Sequence, residues 1–269
     1  MTVTDTRDTA VGGARLFFSP HADDVVLSCY GSLTPGAVVV TVLAGIPDDP
    51  LVVTDWDRRV GADSSRALAL RRLDEDVAAF AGTGIRLLAW PYLDGQYRDG
   101  PPDPERFLAD VTERVGRADE VWLPAGIYAH PDHVLVRDMG LTACTAARRA
   151  GRDLRVRLYA EYPYQLYQMD DFHKAHQDRG PYDWTNRSVG ALAVWCGAEF
   201  PAWPESAAGP VETLLTPERT KAKEAAVRAH ASQLRLLDEL VHGVLLETEN
   251  LGREYWWSAA APTPSQGRR

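Results

Sequence analysis

The sequence predicts an α/β fold: a Rossmann-like, doubly wound and mostly parallel sheet of strand order 3-2-1-4-5, with helices on both faces. Three observations lead to this fold class. Short apolar runs alternate with longer segments in which apolar residues recur at helical spacing. The run Ala37–Leu43 (AVVVTVL) is rich in β-branched residues, as in strands that are buried on both faces. A chain of 269 residues, 45% hydrophobic and 25% charged, is long enough for one such domain.

The predicted elements follow one another in the order that a parallel sheet requires. Ala14–Ser19 (ARLFFS) is the first strand, and Asp23–Leu33 has room for about three helical turns before the strand Ala37–Leu43. Strand, helix and strand in this order predict parallel pairing with a right-handed crossover. The further predicted strands are Ile85–Trp90, Glu120–Leu123, Arg155–Ala160 and Ser188–Trp195. The further predicted helices are Arg58–Ala81, Pro104–Gly116, Pro131–Ala150 and Pro217–His242.

The alternation fills residues 14–258, which we expect to form a single domain. Residues 1–13 and 259–269 (AAAPTPSQGRR) have the composition of disordered termini. Two polar or Pro-rich stretches, Asp170–Asn186 and Glu199–Pro210, interrupt the alternation and are predicted to be surface loops. Loops of this length in a compact domain are usually functional, so both are candidates for a substrate wall.

Charge and cysteine content exclude several classes of function. There are 29 Lys and Arg against 38 Asp and Glu, and the net charge of −9 repels phosphate backbones and acidic membranes. We therefore expect neither a nucleic acid nor a membrane as partner. The first thirteen residues lack the apolar core of a signal peptide, which predicts a cytoplasmic protein. Cys29, Cys144 and Cys196 form no CxxC pair, so neither a disulfide framework nor a thiolate zinc site is indicated.

Polar residues are concentrated where the first strand passes into a helix. Residues 19–24 (SPHADD) place the imidazole of His21 and the adjacent carboxylates of Asp23 and Asp24 on one turn. A helix cap would explain either aspartate, and His21 would then be an ordinary turn residue. This turn by itself fits a cap and a functional site equally well.

A second cluster favours the functional interpretation. Residues 130–133 (HPDH) follow the fourth predicted strand, and in the order 3-2-1-4-5 the first and fourth strands are neighbours at the crevice where ligands bind. Two imidazoles and one carboxylate suffice for a catalytic zinc site with an open fourth position. The first turn lacks the glycine-rich signature of nucleotide-binding proteins. The sequence thus predicts a metal site in this crevice.

The two clusters resemble those of the PIG-L/LmbE-like family of metal-dependent N-deacetylases. The resemblance is carried by residues 20–24 (PHADD), 27–28 (LS) and 130–133 (HPDH). Weaker similarity covers nearly the whole chain, at residues 72–75 (RLDE), 92–95 (YLDG), 161–164 (EYPY) and 232–233 (SQ). Val25 stands where many members carry Glu, which removes one carboxylate near the metal but leaves the ligands in place.

The resemblance implies a role for each residue of the two clusters. The implied ligands of Zn²⁺, or of another divalent transition metal such as Fe²⁺, are His21, Asp24 and His133. Asp23 is the implied general base for water whose pKa the metal lowers towards ~7. His130 faces the reacting carbonyl, and in protonated form it would share the negative charge of the tetrahedral oxygen. Asp132 is suited to orient His130 and to raise its pKa.

Two residues outside the clusters are candidates for substrate binding. Arg72 and Glu75 fall on one helix face, where an i, i+3 ion pair is the ordinary explanation, but the resemblance places Arg72 near the substrate. Asp94 lies in a Gly-containing turn after the third strand. It is either a turn former or a contact to a sugar hydroxyl.

These residues together predict a zinc-dependent hydrolase acting on a linear amide C–N bond, with residues 14–258 as a single catalytic deacetylase domain. Its predicted partner is a small N-acetylated or N-acylated amino sugar on an antibiotic or other secondary-metabolite intermediate. One alternative is another metal-dependent hydrolase in the same crevice, such as a phosphoesterase, although the acidic chain shows no basic phosphate cradle. The other is a non-catalytic, metal-stabilised sugar-binding module, in which Asp23 has no chemical role. The oligomeric state is left open.

Overall fold

The protein is described by a computed structural model over residues 14–126, 130–164 and 208–259. In these ranges one sheet has the strand order β3-β2-β1-β4-β5-β7-β6. Its strands are β1 (Arg15–Ser19), β2 (Val38–Thr41), β3 (Arg86–Ala89), β4 (Glu120–Pro124), β5 (Arg155–Tyr159), β6 (Ala208–Leu214) and β7 (Arg253–Ser258). Strands β1 to β5 pair in parallel, while β7 pairs antiparallel with both β5 and β6. The predicted fold class and the 3-2-1-4-5 core are confirmed.

Helices alternate with the parallel strands along the chain. They are α1 (Asp24–Cys29), α2 (Asp55–Arg59), α3 (Ser65–Ala79), α4 (Pro104–Val115), α5 (Pro131–Arg149), α6 (Pro217–Ala229), α7 (Ala231–Leu240) and α8 (Thr248–Leu251). Several begin at a residue whose side chain accepts a backbone N–H of the first turn, including Ser64 before α3 and Asp103 before α4. No helix of the described ranges is long and apolar enough to cross a membrane.

Hydrophobic clusters cover both faces of the sheet. Neighbouring residues of β1 point to opposite sides, so that Phe18 joins one cluster with Val40, while Phe17 joins the other with Val39 and Trp122. All five side chains are buried. A strand that is apolar on both faces is what a doubly wound sheet needs, and it explains the continuous apolar runs in the sequence.

Two predicted helices are each interrupted. The segment predicted as one helix over Arg58–Ala81 forms α2 and α3, because Gly61 adopts a φ of +81° and Ser64 then starts a new helix as its cap. The helix predicted over Pro217–His242 is broken at His230, which has a φ of −81° and a ψ of 47°. Helical periodicity continues across both breaks, so it does not reveal them.

The antiparallel edge of the sheet was not predicted. Strand β6 starts at Ala208, inside the expected loop Glu199–Pro210, and β7 lies in a segment without a predicted strand. Ala259, expected in the disordered tail, is buried and donates its amide to the Val156 carbonyl at 3.0 Å. The predicted strand Ser188–Trp195 and the predicted loop Asp170–Asn186 lie outside the described residues, as do residues 1–13 and 260–269.

Candidate active site

The two polar turns meet at the carboxyl ends of β1 and β4. These strands are parallel neighbours, with Phe17 opposite Trp122. The ring centroids of His21 and His133 are 5.4 Å apart, and those of His130 and His133 are 4.9 Å apart. About a hundred residues of sequence therefore separate groups that lie in contact, as the strand order predicts.

Three of these side chains form a group that fits a divalent metal ion. Ligand atoms of His21, Asp24 and His133 all lie within 4.8 Å of one another. Asp24 Oδ2 lies 3.4 Å from His21 Nδ1, and Asp24 Oδ1 lies 3.4 Å from His133 Nε2. His133 Nε2 is buried and has no hydrogen-bond partner among the described residues, as expected of a nitrogen whose lone pair is kept for a metal. Two imidazoles and one carboxylate are a ligand set that Zn²⁺ and similar cations prefer.

Glu161 orients the His133 ring for this purpose. Its Oε1 lies 3.2 Å from His133 Nδ1, and both side chains are fully buried. A carboxylate at Nδ1 holds the proton on that nitrogen and directs the free Nε2 towards the other ligands. The sequence placed Glu161 in a weak motif after the fifth predicted strand but assigned it no role.

The adjacent carboxylates of Asp23 and Asp24 differ in proton affinity. Burial raises the pKa of Asp24, but the His133 and His21 imidazoles outweigh it and lower this pKa to about 2. Burial together with the Asp24 charge raises the pKa of Asp23 to about 6. Asp23 occupies the position before α1 without a side-chain cap bond, so the helix-cap explanation fails for it. Its half-buried carboxylate instead lines a cavity.

His130 is neutral in this arrangement, contrary to the expectation of a protonated ring. Burial, aided by His21 and His133, lowers the pKa of His130 to about 4. Its Nδ1 accepts the backbone N–H of Asp132 at 3.3 Å and so caps α5. The neutral ring therefore carries its proton on Nε2. The helix cap uses Nδ1, while Nε2 remains available for a functional role.

The Asp132 carboxylate does not bind the His130 ring, which corrects the orienting role expected from the sequence, although its charge does act to raise the pKa of His130 as expected. It lies 3.1 Å from His21 Nε2, accepts the Gly95 amide at 2.9 Å and pairs with the Arg98 guanidinium. Asp132 thus orients the metal-ligand candidate His21. A second group of potential ligand atoms comprises His21, Asp94 and Asp132, but Arg98 already supplies the positive charge there.

A cavity of about 890 Å³ opens over these groups. Every predicted site residue except the fully buried His133 lines it: His21, Asp23, Asp24, Arg72, Asp94, His130 and Asp132. Further lining side chains that sequence reasoning did not assign include Trp56, Arg98, Leu135, Met139, His230 and Gln233. The volume is at the upper end of small-molecule sites and suits a ligand larger than one sugar ring.

Arg72 faces the cavity rather than Glu75. Its guanidinium donates to Gln233 Oε1 at 2.5 Å and lies 3.5 Å from Asp94 Oδ2. Glu75 binds Arg71 and the backbone and hydroxyl of Ser232, so of the two alternatives for Arg72 the structure does not form the i, i+3 ion pair.

Asp94 stabilises a turn and also lines the cavity. One carboxylate oxygen accepts the Gln96 amide and stabilises the turn, while the other faces Arg72. The 92–95 motif therefore pointed to a residue that belongs to both the turn and the cavity.

The unassigned lining residues differ in how far the sequence indicated them. Gln233 lies in the weak 232–233 motif, whereas Trp56 lies on α2, which the sequence merged with α3. Trp56 Nε1 donates to Gln233 Oε1 at 2.9 Å. Arg98 follows a turn that only the folded chain brings next to Asp132. No signal in the sequence therefore indicates Arg98 as a site residue.

Comparison of the sequence and the fold with known proteins finds similarity to deacetylases. No family model matches the sequence. The 2'-N-acetylparomamine deacetylase of Niallia circulans is 28% identical over 193 residues, which cover 56% of this chain and 67% of that protein. The solved structure of the A40926 pseudoaglycone deacetylase is 26% identical, with a TM-score of 0.66 over 92% of this chain and 98% of that one. A deacetylase triple mutant of the teicoplanin biosynthetic pathway shares the fold, with a TM-score of 0.69, 23% identity and coverage of 94% and 100%.

These relatives support the resemblance to deacetylases that the sequence motifs indicated. The paromamine and A40926 proteins are named as deacetylases, and the teicoplanin-pathway structure adds the shared fold. The predicted resemblance to PIG-L/LmbE-like deacetylases is confirmed.

Proposed function

We propose that this deacetylase-like chain is a metal-dependent amide hydrolase that removes an N-acetyl group from an amino sugar of an antibiotic intermediate. One observation carries the proposal. Two members of the His21, Asp24 and His133 group line, together with Asp23, a cavity with room for a substituted sugar. The relatives named for paromamine and for the A40926 pseudoaglycone support an antibiotic context. The cytoplasmic location predicted from the sequence is part of this proposal.

The proposal assigns the metal to His21, Asp24 and His133. A bound divalent cation, Zn²⁺ or Fe²⁺, would supply Lewis-acid polarisation of the amide carbonyl and would acidify water. Asp23 is the general base that takes a proton from the attacking water. A pKa near 6 suits this role, because the carboxylate is deprotonated at neutral pH yet binds a proton more readily than an ordinary aspartate.

His130 is proposed to stabilise the oxygen of the tetrahedral intermediate. With Nδ1 occupied by the Asp132 amide, the neutral ring has its N–H at Nε2 and can donate it to the developing oxyanion. This donation needs no positive charge on the imidazole, so it is compatible with a pKa of about 4.

Asp23 is also the proposed donor to the leaving amine. After accepting the water proton it is the protonated group with a pKa near 6, whereas His130 at about 4 remains neutral. Water oxygen joins the carbonyl carbon, the C–N bond breaks, and the proton held by Asp23 passes to the nitrogen. The products are an amine and acetic acid, which at neutral pH gives its proton to the amine or to solvent, and Asp23 returns to its carboxylate form.

The cavity walls fit a sugar better than a phosphate ester. Arg72 and Arg98 are the arginines of its described lining, and they face the carboxylates of Asp94 and Asp132 respectively. A phosphoesterase would need cationic groups available to the phosphate oxygens. Paired cationic and anionic groups offer donors and acceptors to hydroxyls instead, and Leu135 and Met139 suit an apolar group attached to the sugar.

The test is amine release by metal-loaded protein. Protein supplied with Zn²⁺ or Fe²⁺ is incubated with N-acetylglucosamine, N-acetylparomamine and an N-acetylglucosaminyl glycopeptide, and the free amine is quantified. We expect release from at least one of them. The matched control Asp23→Asn should retain metal and fold but lose about 10²–10⁴-fold in turnover. Metal-loaded protein without amine release, or an Asn variant as active as the parent, would contradict the proposal.

A further inference from the structure

His230 occupies an unusual position in the cavity wall. It lies at the break between α6 and α7, where its amide donates to the Val227 carbonyl and its own carbonyl accepts the Gln233 amide at 3.0 Å. Its side chain caps neither helix and lines the cavity while being only 3% exposed. The break in the helix therefore directs an imidazole towards the space where the substrate would bind.

Among the described residues, the His230 ring finds no partner of the kind that a buried polar group needs. Its Nε2 is buried and has no hydrogen-bond partner among the residues that the structure describes. Burial lowers the pKa of His230 to about 4, despite the Glu75 and Asp24 charges, so the ring is neutral and one nitrogen can accept a hydrogen bond. A buried acceptor without a partner is destabilising, which points to a ligand as the missing partner.

Arg72 presents a second unpartnered group on the same wall. Its Nε is buried and, within the described chain, has no hydrogen-bond partner. Gln233 connects the two residues, because its side chain accepts from the Arg72 guanidinium at 2.5 Å and its backbone amide binds the His230 carbonyl. The Trp56 indole donates to the same Gln233 oxygen at 2.9 Å, which holds Gln233 in place.

We propose that His230, together with Arg72, recognises one hydroxyl group of the amino-sugar substrate. Arg72 Nε–H is a donor, and in the tautomer with its proton on Nδ1 the His230 ring has Nε2 as an acceptor. A hydroxyl accepts one hydrogen bond and donates another. An ether or a deoxy carbon cannot make both. The inference rests on the proposed function and adds to it a specificity-determining residue outside the metal and base set.

The experiment pairs removal of the side-chain acceptor with removal of the substrate hydroxyl. His230→Phe keeps a flat ring without polar atoms, and His230→Gln keeps an acceptor. The values of kcat/KM are measured on methyl N-acetylglucosaminide and its 3-deoxy, 4-deoxy and 6-deoxy analogues. His242→Asn is the matched control, because His242 is exposed, lies outside the cavity lining and has a φ of 58°, which Asn tolerates.

We expect the parent to lose on the order of 10-fold or more on one deoxy analogue, because a site built around a hydroxyl rejects the compound that lacks it. His230→Phe should lose a similar factor on the full sugar and should not distinguish that analogue from it. His230→Gln should recover part of the discrimination, and His242→Asn should behave as the parent.

The outcomes separate this inference from the proposed function. Suppose that amine is released, but that for all three analogues the loss in kcat/KM from His230→Phe multiplies with the loss from the missing hydroxyl. This result would overturn the role of His230 and leave the deacetylase proposal standing. Absence of release by the parent from every N-acetylated sugar, including N-acetylparomamine and the glycopeptide, would reject both. Thermal unfolding of the free proteins gives an independent check. Removal of an unsatisfied buried acceptor should not lower the Tm of His230→Phe, whereas loss of a structural hydrogen bond would.

Discussion

Asp23 and Asp24 show how adjacent residues of one type acquire different chemistry. The Asp24 carboxylate lies between two imidazoles, which favour its charged form and lower its pKa to about 2. For Asp23, burial and the Asp24 charge outweigh the lowering effect of His21 and Arg72, and its pKa rises to about 6. Neighbouring carboxylates whose proton affinities are driven apart are suited to separate duties, and those proposed here are metal binding and proton transfer.

Glu161 provides a test of the proposed metal centre from outside the proposed ligand set. Glu161→Gln keeps the shape of the side chain but removes the charge that holds the proton on His133 Nδ1 at 3.2 Å. We expect metal affinity to fall by about 10–100-fold with the fold retained. Competitive chelator titration measures the affinity, and circular dichroism monitors the fold. His133→Ala, which removes a ligand, should lose the metal altogether, and equal affinity in parent and Glu161→Gln would argue against the orienting role.

His130 can be separated from the ligands by its effect on turnover. His130→Ala removes the proposed oxyanion donor but none of the three ligands, so metal content and KM should stay near those of the parent. The value of kcat should fall by about 10²–10³-fold, the scale of one oxyanion donor. Metal analysis and steady-state kinetics on the best acetylated sugar give both quantities. Metal loss equal to that of His133→Ala would make His130 a ligand and overturn the mechanism.

At the scale of elements, α5 must approach β4 closely to bring His133 to the site. Gly140 allows this approach, because a Cβ at that position would lie 2.3 Å from Leu123 Cδ2. Gly140→Ala gains at most about 1 kcal/mol from helix propensity but costs about 1–3 kcal/mol in overpacking. We expect a net loss of stability in urea unfolding. Thr142→Ala, on the exposed face of the same helix, should stay within about 0.5 kcal/mol of the parent.

The break between α6 and α7 predicts a pH dependence of stability. His230 has a pKa of about 4 in the folded protein against about 6.5 when unfolded. As pH falls from 6.5 to 4 the unfolded chain binds a proton that the folded chain does not, so this residue lowers the free energy of unfolding by up to roughly 3 kcal/mol. His230→Phe should therefore lose less stability than the parent over this interval. Parallel curves of stability against pH would contradict the buried, neutral state.

These elements also show where sequence reasoning ends. The parallel core and the two polar turns could be predicted, because apolar runs and strand ends are local signals and parallel strands bring their carboxyl ends together. The break at His230 could not, since helical periodicity continues through it. Nor could the partner of Asp132, because Arg98 is brought to it by the fold and the motif itself suggested His130.

At the scale of the whole molecule, the buried carboxylate of Glu254 links the antiparallel edge of the sheet to the N-terminal part of the described chain. Lys223 of α6 lies 3.0 Å from Glu254 of β7, and both side chains are buried. Both carboxylate oxygens of Glu254 also accept the amide of Gly31, at 3.0 Å, in the turn that follows α1. The antiparallel edge, which the sequence did not predict, is thereby attached to the segment that follows α1, the helix that begins at Asp24.

This ion pair should be costly to break on one side only. Lys223→Met leaves the Glu254 carboxylate buried without its cation, and we expect the free energy of unfolding to fall by about 3–5 kcal/mol. The double variant Lys223→Met/Glu254→Gln removes both charges and retains an oxygen that can accept the Gly31 amide, so it should recover most of that loss. Urea unfolding of the parent, the single variant and the double variant measures this difference. If the single variant were as stable as the parent, the ion pair would not join the edge to the rest of the fold, whereas a double variant no better than the single one would assign the loss to packing around Lys223.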